Sequence, residues 1–256
     1  MTKQLLFYEQ ATPVSASRHA DLSVETGAGY AFASHASAVP IMALEFIPAA
    51  SEYAIVFAPI GEEIFPAVVL GMRTDQNLYL GADGKWSAKY VPAFIRRYPF
   101  VFSTSADRKT LTLCIDESYA GLNREGKGQR LFDDERKPSA YTQRVLKFLQ
   151  DFQAHFQRTR LFCQRLKELG VLEPMGVQVT GADGQKVALG GFLVANRKKL
   201  RELPDDKLLA MAKSDELELL HLHQYSLRNF AEMKDRLSGA QPAEAEDAAA
   251  APTTLQ

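Results

Sequence analysis

Aromatic and arginine side chains are concentrated in one short segment, residues 86–102, which reads WSAKYVPAFIRRYPFVF. Arginine presents a planar fork of donors that binds carboxylate and phosphate groups, and an aromatic face beside it adds a stacking surface. The segment therefore indicates a candidate site for a ligand or a partner. Its members are Trp86, Tyr90, Arg96, Arg97 and Tyr98.

The spacing of the same segment also fits a purely structural role. Tyr90, Phe94 and Tyr98 recur every fourth residue and would share one face of a helix. Pro92 suits the first turn of that helix, and Pro99 would stop it. An aromatic stripe of this kind mostly faces a core, in which case the two arginines point away from it, into water or toward carboxylates. The sequence leaves both interpretations open.

A glycine-rich stretch at residues 121–128 matches most of a phosphate-binding P-loop. Gly121 and Gly126 have the required spacing, and Lys127 follows. Gly128, however, stands where a serine or threonine hydroxyl would contact magnesium. The next residues are charged and lack helical periodicity, whereas the motif needs a helix N-terminus to direct its amides at the phosphates. We interpret the stretch as a polar loop.

The histidines do not have the spacing of metal ligands. His221 and His223 lie two residues apart in a leucine-rich pattern typical of a helix, so their side chains would project about 200° apart around its axis. His19, His35 and His155 have no cysteine, histidine or carboxylate nearby at ligand spacing. The sequence therefore predicts no metal site.

Signatures of covalent and acid–base catalysis are also incomplete. The chain contains no Gly-x-Ser-x-Gly motif, and neither cysteine occurs in a signature with histidine. Adjacent carboxylates occur at residues 62–63, 116–117 and 133–135, but such pairs are far more common in solvated loops than in active sites. We therefore assign no catalytic residue and expect no cofactor. An enzymatic function stays open only if the reactive groups come together through folding.

The overall composition excludes several classes of function. The 256 residues include 30 basic and 31 acidic ones, giving a net charge of −1, so no nucleic-acid partner is expected. No apolar run approaches the ~18 residues of a transmembrane helix, and the apolar run near the N-terminus is too short for a signal peptide. Two lone cysteines fit a reducing compartment. These features predict a cytoplasmic protein without a membrane span, and they leave surface association open.

Periodicity along the chain predicts an α+β fold. The β-rich N-terminal half alternates apolar residues with period two, as antiparallel hairpins do, and residues 81–85 form a tight turn. A long central helix follows, with Ser139 as its N-cap and Gly170 at its end, and its length favours a bend or a break. A further hairpin and two C-terminal helices come next, the longer at residues 216–237.

The chain is expected to contain one domain and a tail. Residues 1–237 carry the periodic apolar patterns of a folded domain. Residues 238–256 contain one large apolar residue, Leu255, and cannot bury enough surface to offset the entropy cost of ordering. We therefore predict that this tail is disordered.

Several stretches of the chain resemble the SapC family of bacterial proteins. The similarity runs from about Pro13 to Leu237 and is most distinctive at residues 77–100, NLYLGADGKWSAKYVPAFIRRYPF. Further similar stretches are AVPIMALEFIPAASEYAIVF, GGFLVANRKKLRELPDDKLLAMA and HLHQYSLRNF. In the first of these, Ala54 stands where the family frequently has proline.

The resemblance implies an accessory protein with a link to surface-layer or secreted proteins, and it implies no known reaction or catalytic residue. Together with the residue patterns, it predicts a non-enzymatic protein that binds a protein, a peptide or a small anionic ligand near residues 86–98. Two other functions stay open: an enzyme whose site is assembled only by folding, and a structural component of a surface layer. The sequence does not determine the oligomeric state.

Overall fold

The computed structural model describes residues 6–27, 29–105, 107, 109–180, 184 and 186–237. Residues 238–256 and most of residues 181–185 lie outside this part of the chain. The expectation of a single domain with a disordered tail therefore stays a prediction.

Strands and helices follow one another in the order expected for an α+β protein. The strands are β1 (Ala11–Pro13), β2 (Ser23–Val24), β3 (Ala38–Pro40), β4 (Ile55–Ile60), β5 (Glu63–Val69), β6 (Phe100–Thr104), β7 (Leu111–Asp116), β8 (Leu122–Asn123), β9 (Gln129–Arg130), β10 (Leu172–Thr180) and β11 (Lys186–Ala195). The helices are α1 (Ala16–His19), α2 (Phe46–Ala50), α3 (Ala93–Arg96), α4 (Ala140–Leu169), α5 (Arg197–Arg201), α6 (Asp205–Lys213), α7 (Glu216–Ser226) and α8 (Asn229–Leu237). The β-rich first half, the long central helix and the C-terminal helices confirm the predicted fold class.

The largest sheet has five antiparallel strands in the order β10-β11-β4-β5-β3. Successive side chains of a strand point to opposite faces, and this divides the residues of β4 between two cores. Ile55 and Phe57 are buried in the main core together with Phe162 of α4. Val56 belongs to a second core, to which α8 contributes Phe230. Apolar side chains on both faces of the sheet are therefore buried.

Two three-stranded sheets lie beside the N-terminal part of α4, with the orders β1-β7-β6 and β8-β2-β9. The side chains that form their shared core include Val24, Phe100, Leu113, Ile115 and Leu149, the last of these from α4. Helix α4 therefore contributes to this core with its first turns and to the main core with its later ones.

The central helix begins and ends where its capping residues predict. The Ser139 hydroxyl accepts a hydrogen bond from the Thr142 amide at 3.2 Å, and Gly170 ends the helix in the left-handed conformation, with φ 64°. The helix continues through 30 residues, so no break occurs despite its length. Neither α4 nor any other helix in the described ranges has the length and apolarity needed to cross a membrane.

The prediction of one helix at residues 216–237 is wrong, because α7 and α8 are separate. Buried polar side chains hold their junction: the Ser226 hydroxyl accepts a hydrogen bond from the Ile55 amide at 3.0 Å. The side-chain amide of Asn229 donates to the carbonyls of Ala50 at 2.9 Å and Tyr53 at 2.8 Å. These partners lie at least 171 positions earlier in the chain, so helical periodicity alone does not reveal the break.

Candidate functional site

The predicted site lies on a turn and a short helix. The Gly81 amide donates to the Lys85 carbonyl at 2.8 Å, and Leu80 forms an antiparallel bridge with Trp86. Helix α3 then begins after Pro92, its N-cap residue. The turn and the start of the helix therefore lie where the glycine and proline residues predict them, whereas Trp86 lies in an isolated bridge and not in a strand.

A buried glutamate anchors the start of α3. Glu45 is 1% exposed, and one carboxylate oxygen accepts hydrogen bonds from the Tyr90 hydroxyl at 2.7 Å and the Ala93 amide at 2.8 Å. The other oxygen accepts one from the Met42 amide at 2.7 Å. Burial, and then the charge of Glu45, raise the pKa of Tyr90, so its hydroxyl stays protonated and donates. The sequence analysis did not identify Glu45. The one indication in the sequence is that Glu45 is the single charged residue among the otherwise apolar residues 41–50.

Arg96 presents its guanidinium at the surface between two aromatic rings. Its Nε–H donates to the Val91 carbonyl at 2.9 Å, which fixes the plane of the fork. The guanidinium carbon lies 5.8 Å from the ring centroid of Tyr90 and 5.4 Å from that of Phe148 on α4. Arg96 is exposed, and it forms no ion pair with any residue that the structure describes.

Arg97, in contrast, is buried, with 4% of its surface exposed. Its guanidinium carbon lies 4.1 Å from the ring centroid of Phe94, 5.0 Å from that of Phe152 and 5.8 Å from that of Tyr8. Burial lowers the pKa of Arg97, and Tyr8 acts in the opposite sense. The interpretation in which both arginines point away from the rings is wrong, because each guanidinium covers an aromatic face.

Tyr98 belongs to an aromatic cluster that also contains Tyr8. Its ring stacks on Phe32 with the centroids 4.2 Å apart, and it meets Tyr8 edge-on at 5.3 Å. The Tyr98 hydroxyl donates to Asp116 at 3.4 Å. Burial, and then the charge of Asp116, raise the pKa of Tyr98 to about 12. This side chain is therefore neutral near pH 7 and packs the N-terminal residues against β6 and β7.

Trp86 lies at the far end of the segment. Its indole N–H donates to the Tyr53 hydroxyl at 2.7 Å, and its ring centroid is 5.7 Å from that of Tyr30 and 6.4 Å from that of Tyr79. Burial raises the pKa of Tyr53, which keeps this hydroxyl protonated. Trp86 therefore packs against the aromatic side chains of the main core.

The structure divides the five predicted residues among three places. Tyr90 and Arg96 lie together at the surface beside Phe148, and these three residues are called the Arg96 site below. Arg97 and Tyr98 both lie against Tyr8, and Trp86 lies against Tyr30. Phe148 lies in an apolar helical stripe 52 positions after Arg96, and nothing in its own sequence context indicates this contact.

The acidic pair at residues 116–117 is not a solvated loop, contrary to the expectation for adjacent carboxylates. Asp116 is 0% exposed and accepts hydrogen bonds from the amides of Glu9 at 2.9 Å and Gln10 at 3.0 Å. Burial opposes its ionisation, yet these bonds and those from Ser118 together lower the pKa of Asp116. The carboxylate therefore ties the N-terminal segment to β7.

Glu117 strengthens the same connection with an ion pair. The Arg18 guanidinium donates to both of its oxygens at 2.5 Å, and Nε2 of the buried His19 lies 3.0 Å from one of them. The hydrogen bond from Arg18 is the main reason that the pKa of Glu117 falls to about 2. Glu117 and Arg18 are thus paired with each other, and neither is an acid or base poised near pH 7.

His223 is a buried structural residue. Its Nδ1–H donates to the Ile55 carbonyl at 2.9 Å, and its Nε2 accepts from the Ala195 amide at 3.0 Å. Burial lowers the pKa of His223 to about 4, so the ring is neutral near pH 7. His221 is exposed, as the two-residue spacing on a helix predicts. Among the residues that the structure describes, no three His, Cys, Asp or Glu side chains are grouped closely enough to hold a metal ion.

The P-loop-like stretch connects two short strands, both of which pair with β2. The Asn123 side chain accepts hydrogen bonds from the amides of Glu125 and Lys127, both at 3.1 Å. Gly128 has φ 86°, and a Cβ atom there would lie 2.2 Å from the Val24 carbonyl oxygen. Glycine at this position therefore allows two backbones to pack closely, and its role is not phosphate binding.

The surface of the described residues includes two clefts lined in part by charged residues. The first, of about 440 Å³, lies between the β4–β5 turn and α4. In this cleft Arg160 is paired with Glu63, to which it donates at 2.9 Å, and Lys167 donates to the Glu62 backbone carbonyl at 2.5 Å. The second, of about 510 Å³, lies between residues 72–74 and β11, and none of its described lining residues is acidic.

Comparison with known proteins identifies the family of this chain. The family model described as SapC matches residues 14–233 of the 256. No curated protein and no solved structure gives a significant match. The matched range includes Glu45, all of the Arg96 site and most of the described elements. Since this range covers well over half of its length, the chain belongs to the SapC family.

Proposed function

We propose that this protein is a non-enzymatic accessory protein that binds an anionic group of a protein, a peptide or a small ligand at the Arg96 site. The observation that carries the proposal is the geometry of Arg96. Its exposed guanidinium is oriented by the Val91 carbonyl and flanked by Tyr90 and Phe148. A carboxylate or a phosphate is the group that such a fork binds best.

The fixed orientation of Arg96 lowers the cost of binding. Immobilising a mobile arginine costs about 1.5–2 kcal/mol of rotamer entropy, and the bond to Val91 with the two ring contacts has already restricted this side chain. A hydrogen bond to a charged group contributes about 1.5–3 kcal/mol. The net gain from a bidentate contact is therefore larger here than at a freely rotating surface arginine.

A second cation lies one helical turn from Phe148 on α4. Arg144 is one helical turn before Phe148 on α4, and residues four apart are neighbours on a helix surface. Arg144 is exposed and makes no ion pair within the described ranges. Two guanidinium groups favour a ligand with two anionic groups, or an acidic stretch of a protein, over a single carboxylate.

The family name suggests the kind of partner. We infer that an acidic segment of a surface-layer or secreted protein binds the site, and that the encounter occurs in the cytoplasm. Buried, unpaired Cys114 and Cys163 fit a reducing compartment. A structural role in a surface layer is the alternative, and cell fractionation distinguishes the two. Protein found solely in the cytosolic fraction would eliminate the structural role.

Replacing Arg96 by alanine is expected to weaken partner binding at least tenfold while leaving the melting temperature nearly unchanged, because this exposed side chain supports little of the core. The measurement is affinity purification with mass spectrometry from the native cell, followed by titration of the captured partner. Arg158→Ala is the matched control, since Arg158 is another exposed arginine. Equal recovery of all partners by the Arg96→Ala and Arg158→Ala proteins would contradict the proposal.

Replacing Arg97 by alanine is expected to reduce stability instead. The truncation leaves a cavity between Phe94 and Phe152 and should lower the free energy of unfolding by about 2–4 kcal/mol. Arg97→Met restores most of the volume without the charge, so its loss should be smaller. Chemical denaturation measures both. An Arg97→Ala protein with unchanged stability but lost partner binding would instead place Arg97 in the binding site.

A further inference from the structure

The second cleft lies along the edge of β11. Five consecutive residues of this strand, 186–190, line it, and residues 72–74 and Ser37 form the opposite wall. Successive side chains of a strand point to opposite faces of the sheet. Consecutive lining residues therefore mean that the cleft borders the edge of the strand, where backbone amides and carbonyls project, and not one of its faces.

This edge is open within the described part of the chain. Strand β10 pairs with one edge of β11, whereas β4 pairs with the other edge only at Leu193. Gly191, with φ 80°, precedes the paired part of β11, and no described strand pairs with residues 186–190 on that side. A row of backbone donors and acceptors without a neighbouring strand is a template for strand addition.

The cleft is also basic. Arg73 and Lys186 line it together with the hydroxyl residues Ser37 and Thr74. Both cations are exposed, and neither forms an ion pair among the residues that the structure describes. Asp75 follows Thr74 in the chain but is not among the lining residues. The charge of the cleft is thus complementary to that of an acidic ligand.

The loop that carries Arg73 is held rigidly. The side-chain oxygen of Gln76 accepts hydrogen bonds from the amides of Met72 at 3.1 Å and Arg73 at 3.2 Å. The Ser37 carbonyl accepts one from the Gly71 amide at 3.0 Å. The position of the Arg73 backbone is therefore set before any ligand arrives, which reduces the entropy cost of binding.

We propose that this cleft binds an extended acidic peptide, which adds a strand to the open edge of β11 and places carboxylates on Arg73 and Lys186. Strand pairing supplies affinity that does not depend on sequence, and the two cations select for acidic side chains. Residues two apart in the peptide share one face, so an alternating Glu-x-Glu pattern suits the site. This site is separate from the Arg96 site and does not rest on the function proposed there.

The test uses the full chain and a fluorescein-labelled peptide, Thr-Glu-Val-Glu-Val-Glu. Two comparison peptides carry glutamine in place of each glutamate, or proline in place of each valine. Fluorescence anisotropy should show binding at least tenfold tighter for the acidic peptide than for either comparison peptide. The double variant R73Q/K186Q should lose at least tenfold in affinity, and hydrogen exchange should show new protection at residues 186–190 when the peptide binds.

Two controls separate this site from others. R158Q/K213Q removes one exposed arginine and one exposed lysine elsewhere and should bind the peptide within twofold of the wild-type protein. In an Arg96→Ala background, R73Q/K186Q should still lower the affinity for the peptide at least tenfold, because the two sites are separate. Unchanged affinity of R73Q/K186Q in either background, or equal binding of the glutamine peptide, would overturn the inference.

Discussion

Alanine in place of Glu45 is expected to lower the free energy of unfolding by about 3–5 kcal/mol, because two buried amides and a hydroxyl lose their acceptor at once. The carboxylate is 1% exposed and accepts from the amides of Met42 and Ala93 and from the Tyr90 hydroxyl. Water cannot replace it without entering the main core. Removing a buried charge recovers some desolvation energy, but three donors without an acceptor outweigh this gain.

The expected loss is measured by urea denaturation, followed through the fluorescence of Trp86, the one tryptophan of the chain. Glu45→Gln keeps an acceptor and should lose less than Glu45→Ala. Glu63→Ala is the matched control, since Glu63 is 54% exposed and pairs with Arg160 at the surface; its loss should stay below about 1 kcal/mol. A Glu45→Ala protein as stable as the Glu63→Ala protein would refute the role assigned to Glu45.

The same substitution should weaken partner binding at the Arg96 site. Glu45 holds both the Tyr90 hydroxyl and the Ala93 amide, so its removal releases the ring beside Arg96 and the first residue of α3. Stability and binding should therefore fall together in Glu45→Ala, whereas Arg96→Ala affects binding alone. A destabilised Glu45→Ala protein that still binds its partner normally would show that Arg96 is positioned without Glu45.

Acidification from pH 6.5 to about pH 4 is expected to lower the free energy of unfolding by about 3 kcal/mol through His223 alone. Burial lowers the pKa of His223 from 6.5 to about 4 in the folded protein. Within this window the unfolded chain binds a proton at His223 and the folded protein does not, so stability falls as pH falls. Above pH 6.5 both states are neutral at this residue, and the contribution is constant.

The check is the slope of unfolding free energy against pH for wild-type, His223→Gln and His221→Gln proteins. His223→Gln should flatten the slope between pH 6.5 and pH 4, whatever its absolute stability, and the exposed His221 should leave the slope unchanged. NMR of the histidine rings is an independent measurement, in which the His223 signals should not titrate above about pH 5. The expectation would be contradicted if the His223→Gln protein had the same slope of unfolding free energy against pH as the wild-type protein. Titration of the His223 ring near pH 6.5 would also contradict it.

Asp116 and Glu117 affect the stability of the protein at lower pH than His223 does. The pKa of Glu117 falls from 4.5 to about 2, and that of Asp116 is also below its ordinary value. Groups of this kind contribute stability above their unfolded pKa and lose it as pH falls toward the folded one. Any loss from these two carboxylates therefore begins near pH 4.5, which keeps it distinguishable from the effect of His223.

Features that depend on a few neighbouring residues were predictable from the sequence. The turn at residues 81–85 follows from its Asp-Gly pair, and the bounds of α4 follow from Ser139 and Gly170. The alternation in β4 follows from the period of a strand, and the start of α3 follows from Pro92. Each of these depends on local backbone geometry or capping, which a short window of sequence contains.

The candidate site depended on contacts between distant parts of the chain. Arg96 and Arg97 have the same chemistry and adjacent positions, yet Phe152 and Tyr8 bury one of them while the other stays at the surface beside Phe148. The acceptor for Ala93 is Glu45, 48 positions earlier. Helical geometry separates neighbouring side chains by about 100°, but it does not say which of them faces the core.

The sequence by itself determined the α+β class, the local course of residues 81–98 and the absence of a complete catalytic motif, because these follow from periodicity, turn chemistry and spacing. The tertiary structure decided which of the aromatic and arginine residues are buried and which are exposed. Within the part of the chain that it describes, it also leaves one edge of residues 186–190 of β11 without a paired strand, beside Arg73 and Lys186. Burial and strand pairing are properties of segments brought together by folding, so neither is contained in the residues of one segment alone.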